Sequence, residues 1–268
     1  MCAATIDMKA EFKALCKYGE QQAREGSFDT ARKKENEPFN AEGVVKPFDG
    51  TIPKFSFTES YISQGGSDDE GDKPTEHTRT YNYYNASTVL GGRAIAAQGP
   101  EPAMLGAFFA MINEVGVNSI VTLCHEGDDY WSRYSIEDKP EVRFDIQGIK
   151  LLKTTLNLPN VERTITHYYL DKWPDGGTIP TEVLSQTITA VGKVTGPLLV
   201  HCVAGIGRTG TFLAAYGAYL DPGKDIRDIT HSLRSRDTGR FRMICSQEQL
   251  ELAYDVAAVV RSQSADLA

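Results

Sequence analysis

Apolar side chains recur at helical spacing near the start of the chain. Met8, Phe12, Leu15 and Cys16 are spaced as on one face of a helix, with Lys and Glu between them, which predicts a helix over 7–25. The segment 32–49 is polar and interrupted by prolines, and the Gly-rich, acidic segment 63–77 predicts a loop. We therefore expect the first helix to pack on the edge of a domain.

After residue 81 the pattern alternates between strand and helix, which is typical of an α/β fold. The predicted elements are a helix at 102–115, a strand at 117–124, two or three strands within 142–170, a helix beginning at Thr181, a strand at 198–202, and helices at 208–220, 225–236 and 246–262. The sequence contains no internal repeat. No linker divides the chain after residue 80. This predicts a single domain at 36–268, preceded by a helix and lead-in at 1–35 whose role is unassigned.

The composition is that of a soluble globular protein. Apolar residues make up 41% of the 268 residues and charged residues 24%, so we expect a packed core. The 36 acidic and 28 basic residues give a formal charge of −8, which argues against a nucleic-acid binder because such proteins neutralise phosphates with Lys and Arg.

The cysteines indicate a reducing compartment. There are five, an odd number, and they form no CxxC pair, so we expect free thiols and a cytoplasmic location. The sequence shows no Sec-type signal and no apolar run long enough to span a membrane. A secreted effector that acts in a host cytosol is an open alternative, since its export signal would not be recognisable.

The densest chemical signal is the segment His201 to Gly210, HCVAGIGRTG, between a predicted strand and a predicted helix. Its glycines satisfy G-x-G-x-x-G, and Asp225 follows about 20 residues later, so a dinucleotide fold has to be considered. Two details disfavour it. Arg208 would fill the space that a pyrophosphate needs, and Asp225 lies in a helical pattern and not at the end of a strand.

A second interpretation uses Cys202 and Arg208, six positions apart around this glycine-bearing loop. A short loop that leads into a helix directs successive N–H groups and the positive end of the helix dipole at one point, which suits a phosphate dianion. Arg208 can grip two phosphate oxygens at once. The same donors favour a thiolate, so Cys202 is the candidate nucleophile.

This stretch resembles the HC-x5-R-[ST]-G signature of the cysteine-dependent protein tyrosine phosphatases. Trp173-Pro174-Asp175 resembles the mobile WPD loop of the classical branch of that family. Three further segments resemble its YINAS, TQGP and PFD elements, namely 84–87, 97–100 and 47–49. The resemblance runs from about residue 40 to 260, and it implies a single domain with a central twisted, mostly mixed β-sheet flanked by helices.

The resemblance also implies a role for each site residue. Cys202 would be the nucleophile, Asp175 the general acid and then base, Arg208 the phosphate ligand, Thr209 a donor to the departing thiolate, and Gln249 the residue that orients water. The phosphate-binding loop would be Val203, Ala204, Gly205, Ile206, Gly207 and Arg208, supported by His201, Glu126 and Trp173. Glu126 would orient Arg208. The resemblance implies no metal and no cofactor. The expected partner is a phosphotyrosine-containing protein substrate, and we expect the chain to be a monomer.

Three departures from the family pattern bear on the substrate. Glu42 stands where members place the tyrosine that stacks on the phosphotyrosine ring, with Phe39 as a substitute in a shifted register. Gly176 replaces an aromatic residue after WPD, so we expect a weaker grip on an aromatic ring. Cys245 occupies the position of the first glutamine of the Gln-loop, with Gln247 as the shifted alternative. The loss of that glutamine, whose amide would help to hold water, predicts slower hydrolysis of the phosphoenzyme.

Two alternatives use the same loop. A phosphoinositide or dual-specificity phosphatase shares the Cys/Arg chemistry, but enzymes that act on polyphosphorylated inositols usually add lysines to the loop, whereas Val203, Ala204 and Ile206 are uncharged. A phosphate-binding pseudoenzyme would be expected to have lost the nucleophile or the acid, and both are present. Metal-dependent chemistry finds little support because the five histidines are scattered.

Overall fold

The computed structural model describes residues 6–41, 43–63, 75–124 and 129–265. Helices and strands alternate along most of this chain, and a seven-stranded mixed sheet lies between two layers of helices. The predicted α/β class and the central mixed sheet are therefore confirmed. Among the described helices, none has both the length and the apolar character needed to cross a bilayer.

The described elements include the predicted ones in the predicted order, together with shorter elements that the sequence did not indicate. The helices are α1 (Met8–Glu25), α2 (Asp29–Arg32), α3 (Leu105–Val115), α4 (Tyr130–Tyr134), α5 (Thr181–Val191), α6 (Gly207–Leu220), α7 (Ile226–Arg234) and α8 (Gln247–Ala265). The strands are β1 (Phe57–Ser63), β2 (Thr75–Tyr81), β3 (Ala86–Val89), β4 (Ala94–Gln98), β5 (Ser119–Thr122), β6 (Glu141–Ile146), β7 (Ile149–Leu156), β8 (Ile165–Leu170) and β9 (Leu198–Cys202). Short 3₁₀ turns cover Lys34–Phe39, Asp49–Thr51, Leu90–Gly92 and Pro102–Met104.

The large sheet has the strand order β3-β4-β9-β5-β8-β7-β6. Its four central strands, β4, β9, β5 and β8, run parallel, and the outer strands pair antiparallel. In open sheets of this kind, ligands bind beyond the carboxyl ends of the parallel strands. Cys202 is the last residue of β9 and pairs with Gln98, the last residue of β4, so the candidate nucleophile lies at that edge.

Each face of the sheet has its own core. On β9, Leu198 and Val200 contribute to a cluster formed with α5, α6, α7 and α8, while Leu199 contributes to a second cluster around α3. This alternation follows from the two-residue period of a strand. Because both faces are covered, all five residues of β9 are buried, and the strand reads as a continuous apolar run.

The structure corrects the two ends of the loop predicted at 63–77, and residues 64–74 of that loop lie outside the described part of the chain. Ser63 belongs to β1 and Thr75 begins β2, and these two strands form a small antiparallel sheet of their own. The polar residues of β2 gave no apolar alternation to detect. β4 also lacked a signal because its sequence, AIAAQ, is mostly alanine, a residue with low strand propensity, yet it is fully buried between β3 and β9.

Candidate active site

The segment after β9, for which phosphate binding is predicted, turns sharply into α6. The turn depends on Gly205, whose φ of 69° is a left-handed conformation that favours glycine. A Cβ at this position would lie 2.2 Å from the carbonyl oxygen of Ala97 on β4. The loop therefore packs directly on the neighbouring strand, and its curvature is fixed by contact with the sheet.

The peptide carbonyls of this loop are bound from outside. The main-chain N–H of Gly99 donates to Val203 O at 2.9 Å, Arg240 Nη2 donates to Ala204 O at 3.0 Å, and the N–H of Ile244 donates to Ile206 O at 3.0 Å. Because the C=O and N–H of a peptide point in opposite directions, fixing the carbonyls outward turns the amides toward the concave side. This arrangement produces a cradle of N–H donors suited to an anion.

The sulfur of Cys202 lies at the base of the cradle. Only 3% of the residue is exposed, and Thr209 Oγ1 donates a hydrogen bond to Sγ at 3.2 Å. Thr209, in the first turn of α6, is fully buried. The structure thus places a hydroxyl donor and the first turn of a helix next to the candidate nucleophile.

His201 is held beneath the loop by a buried polar network. Its Nε2 lies 2.8 Å from Thr122 Oγ1 and 3.0 Å from the Tyr130 hydroxyl, and its Nδ1 lies 3.3 Å from Cys202 O. The hydroxyl of Thr122 also contacts Nε2 of His167 at 2.8 Å. Burial lowers the pKa of His201 to about 4 and that of His167 to about 3, so both rings are neutral near pH 7.

Arg208 connects the phosphate loop to the predicted acid loop. Its Nη1 donates to Trp173 O at 2.9 Å and its Nη2 to Asp175 Oδ1 at 2.9 Å. The side chain of Arg208 is 1% exposed, whereas that of Asp175 is 82% exposed. One guanidinium therefore joins the acid loop to the first turn of α6, while the Asp175 carboxyl group remains largely exposed to solvent.

A second set of contacts closes the acid loop on itself. Trp173, which is buried, donates from Nε1 to Gly177 O at 3.0 Å, and Gln249 Nε2 donates to the same carbonyl at 3.3 Å. Between them, Gly176 adopts a φ of 67°. Trp173 is thus the fixed base of the loop, and Gln249 at the start of α8 touches its far end.

The structure separates the two candidates for the first glutamine position. Cys245 N donates to Gln249 Oε1 at 2.9 Å, and its sulfur would lie 3.3 Å from a Cβ placed on Gly207. Gln247 instead donates to Glu251 at 2.8 Å on its own helix. Cys245 is an exposed residue, but partial desolvation of its sulfur, followed by the nearby Cys202, raises the pKa of its thiol to about 11, so the thiol is neutral near pH 7.

The match to known families agrees with this geometry. The family model described as protein-tyrosine phosphatase matches residues 36–259. The chain belongs to this family. Over 176 residues the chain is 35% identical to tyrosine-protein phosphatase 2 of Dictyostelium discoideum. The matched region covers 57% of this chain and 44% of that relative. It is 25% identical over 289 residues to mouse tyrosine-protein phosphatase non-receptor type 20, covering 97% of this chain and 62% of that protein.

Solved structures share the fold of this phosphatase-family chain. The catalytic domain of human protein tyrosine phosphatase non-receptor type 18 superimposes with a TM-score of 0.72 at 21% identity, covering 95% of this chain and 96% of that one. The same phosphatase bound to HER2-pY1196 phospho-peptides gives a TM-score of 0.72 at 20% identity, covering 95% and 92%. The chain spans 44% and 62% of the two relatives' lengths, so it corresponds to part of each.

Two residues expected at the site of this phosphatase-family chain, Glu126 and Glu42, lie outside the described residues. Phe39, the substitute proposed for the stacking aromatic residue, is buried in the core, with its ring 6.1 Å from that of Tyr81. It is therefore not a wall of the phosphate cradle. Sequence reasoning missed Arg240, which is fully buried and supports the loop. An arginine in the short segment GRFRMIC was the available signal.

Proposed function

We propose that this chain hydrolyses phosphotyrosine in proteins through a cysteinyl-phosphate intermediate, without a metal ion. The observation that carries the proposal is the position of Arg208. Its guanidinium binds both Trp173 and Asp175 of the acid loop while its helix begins at the loop that holds Cys202. Nucleophile, phosphate ligand and acid thus converge on one point at the carboxyl edge of the sheet.

In the first step the Cys202 thiolate attacks phosphorus in line with the phenolic oxygen. The S–P bond forms as the P–O bond breaks, and the amides of the loop and Arg208 stabilise the charge on the equatorial oxygens. Asp175, protonated, gives its proton to the leaving oxygen. Substrate phosphate would replace the Asp175 carboxyl at Arg208 Nη2, which leaves that carboxyl next to the leaving group.

In the second step water attacks the phosphorus of the cysteinyl phosphate. Asp175, now a carboxylate, accepts a proton from the water, and the S–P bond breaks to release phosphate and the thiolate. Thr209, which donates to Sγ at 3.2 Å, stabilises the sulfur as its negative charge returns. Gln249 contacts the acid loop and borders Gly207, so its amide is placed to orient the water.

Phosphotyrosine as the substrate is supported by the relatives and by the loop. The relatives are named as tyrosine-protein phosphatases, and the structural neighbour of non-receptor type 18 is described in complex with phospho-peptides. The loop side chains Val203, Ala204 and Ile206 offer no cations for additional phosphates. Both the nucleophile and the acid are present, which favours an enzyme over a phosphate-binding pseudoenzyme.

The test is turnover of matched phosphotyrosine and phosphoserine peptides and of a phosphoinositide, each with a chelator present. We expect preference for phosphotyrosine, no effect of the chelator, and no turnover by Cys202→Ser. Asp175→Ala should lower kcat by roughly 10²–10⁴-fold while keeping substrate affinity, because a general acid acts only as the bond breaks. Activity that survives Cys202→Ser, or requires a divalent cation, contradicts the proposal.

A further inference from the structure

Arg234, the last residue of α7, is buried and joins two distant segments of the chain. Its Nε donates to Met243 O at 2.6 Å and its Nη2 to Ile244 O at 2.5 Å, while Nη1 donates to Leu15 O of α1 at 3.1 Å. The residue is 4% exposed. A planar guanidinium can bind three carbonyls in this fixed arrangement, whereas a lysine cannot reproduce the fork.

Two of the three carbonyls that Arg234 binds, those of Met243 and Ile244, belong to a strained segment. Arg242 and Ile244 have φ values of 63° and 65°, a left-handed conformation that is unfavourable for residues other than glycine and most of all for a β-branched one. Such backbone persists only where its surroundings hold it in place. Three hydrogen bonds stabilise this segment in its left-handed conformation: two donated by Arg234 and one from Ile244 N to Ile206 O.

This strained segment sets the position of Gln249. Cys245, the next residue, donates its N–H to Gln249 Oε1 at 2.9 Å, and Gln249 Nε2 reaches Gly177 O of the acid loop. The side chain of Gln249 also lies 3.2 Å from the place of a Cβ on Gly207 in the phosphate loop. A displacement of Met243 and Ile244 would therefore move the group that faces both loops.

The other end of the connection lies on α1, which precedes the residues matched by the family model. Gly19 faces Arg234 closely, because a Cβ there would lie 3.1 Å from Cδ and 3.3 Å from Nη1 of the arginine. The guanidinium also lies 5.9 Å from the ring of Phe12. Thus α1 contacts the Arg234 side chain through the carbonyl of Leu15, the space beside Gly19 and the ring of Phe12.

From these contacts we infer that Arg234 is a positioning residue for hydrolysis of the cysteinyl phosphate, and that α1 belongs to the catalytic unit through it. The inference rests on the proposed function. It predicts that loosening this contact affects the second chemical step, where Gln249 orients water, more than the first, where Cys202, Arg208 and Asp175 act.

The experiment measures formation and decay of the phosphoenzyme separately, by rapid quench with p-nitrophenyl phosphate. Arg234→Met keeps the stem that packs on Gly19 and removes the three donors. We expect its decay constant to fall about tenfold with formation within about twofold, since small misplacements of catalytic groups are costly. Arg234→Lys should recover only part of the loss. Arg236→Met is the matched control, because Arg236 binds Glu25 of α1 but not the 243–245 segment.

Gly19→Ala provides a second variant that should remain folded, since alanine favours a helix over glycine. Its new Cβ presses on Arg234, so we expect slower decay without a lower melting temperature. Equal losses of formation and decay in Arg234→Met, or normal decay in both variants, overturn the inference and leave the proposed function standing. A wild-type protein that forms no phosphoenzyme overturns both.

Discussion

At the scale of single residues, Thr209 is the side chain whose contact with the nucleophile is most direct. Its hydroxyl donates to Cys202 Sγ at 3.2 Å from a fully buried position. Replacement by alanine removes the donor that stabilises the departing thiolate. We expect Thr209→Ala to slow decay of the phosphoenzyme by about tenfold, the effect of a lost charge-assisted hydrogen bond of roughly 1.5 kcal/mol.

Single-turnover measurements on Thr209→Ala and Thr209→Ser check this prediction. Thr209→Ser keeps the hydroxyl and removes only a methyl group, so its decay constant should lie near that of the wild type. A Thr209→Ser variant as slow as Thr209→Ala would assign the effect to packing around α6, and the role given to the hydroxyl would be wrong.

Cys245 is the second residue that we expect to affect the hydrolytic step. The amide of Gln249 is engaged at both ends, by Cys245 N and by Gly177 O, and a thiol stands where a second amide would help to hold water. We expect phosphoenzyme to accumulate in the wild type and to produce a pre-steady-state burst. Cys245→Gln should shrink the burst and raise the steady-state rate a few-fold.

Gln247→Ala is the comparison for that variant, because Gln247 is turned toward Glu251 on its own helix. Its burst should match that of the wild type. Linear product formation from the first turnover of the wild type would show that hydrolysis of the phosphoenzyme is not slow, and the consequence drawn from Cys245 would then fail.

At the scale of elements, the phosphate loop depends on its close packing against β4. Gly205→Ala combines an unfavourable φ with a contact of 2.2 Å between the new Cβ and Ala97 O. Because β4 is held between β3 and β9, we expect the loop to move instead of the strand. The loop amides would then no longer point at the same place. We expect a loss of vanadate binding of at least tenfold and a lower melting temperature.

Gly91→Ala is a matched control, because Gly91 has a φ of 66° but nothing lies within 4 Å of its hypothetical Cβ. It carries the same backbone strain without the collision. Titration with vanadate should therefore leave Gly91→Ala near the wild type. If the two variants weaken vanadate binding equally, a general loss of stability explains the effect, and the contact with β4 is unimportant.

The same element shows what the sequence could and could not predict. The spacing of Cys202, Arg208 and Thr209 is local, so the strand, the loop and the start of α6 could be predicted together. Arg240 and Arg234 could not be placed, because they bind main-chain carbonyls that only the folded chain brings to them. The fate of Phe39 likewise depended on packing, since an aromatic residue suits a core as well as a pocket wall.

At the scale of the whole molecule, the sheet order determines which parts of the site meet. The acid loop follows β8 and the phosphate loop follows β9, and β5 pairs with both. The carboxyl ends of β8 and β9 therefore face one region, although 25 residues lie between Asp175 and His201. α1 reaches the same region from the other end of the chain through α7 and α8, so the candidate site draws on nearly the full length described.

The buried histidines make stability of the whole molecule depend on pH. The ordinary pKa of histidine is 6.5, and burial lowers it to about 4 in His201 and about 3 in His167. Below pH 6.5 the unfolded chain takes up protons that the folded chain refuses, so stability is full above pH 6.5 and is lost as the pH falls toward 4. At about 1.4 kcal/mol per pKa unit, His201 alone accounts for roughly 3 kcal/mol of this loss.

Urea unfolding at pH 7.5, 6.5, 5.5 and 5.0 measures this effect in a window that the carboxylates leave largely open. Glu137, for example, has its pKa lowered to about 2 by hydrogen bonds from Thr154 and Thr155, so it loses stability only as the pH falls below its ordinary value of 4.5. We expect the midpoint to drop below pH 6.5, and to drop less steeply in His167→Gln, which removes one of the two titrations. A midpoint that stays constant between pH 7.5 and 5.0 would mean that the Thr122 network accepts a proton readily, and His201 could then carry a charge beneath the nucleophile.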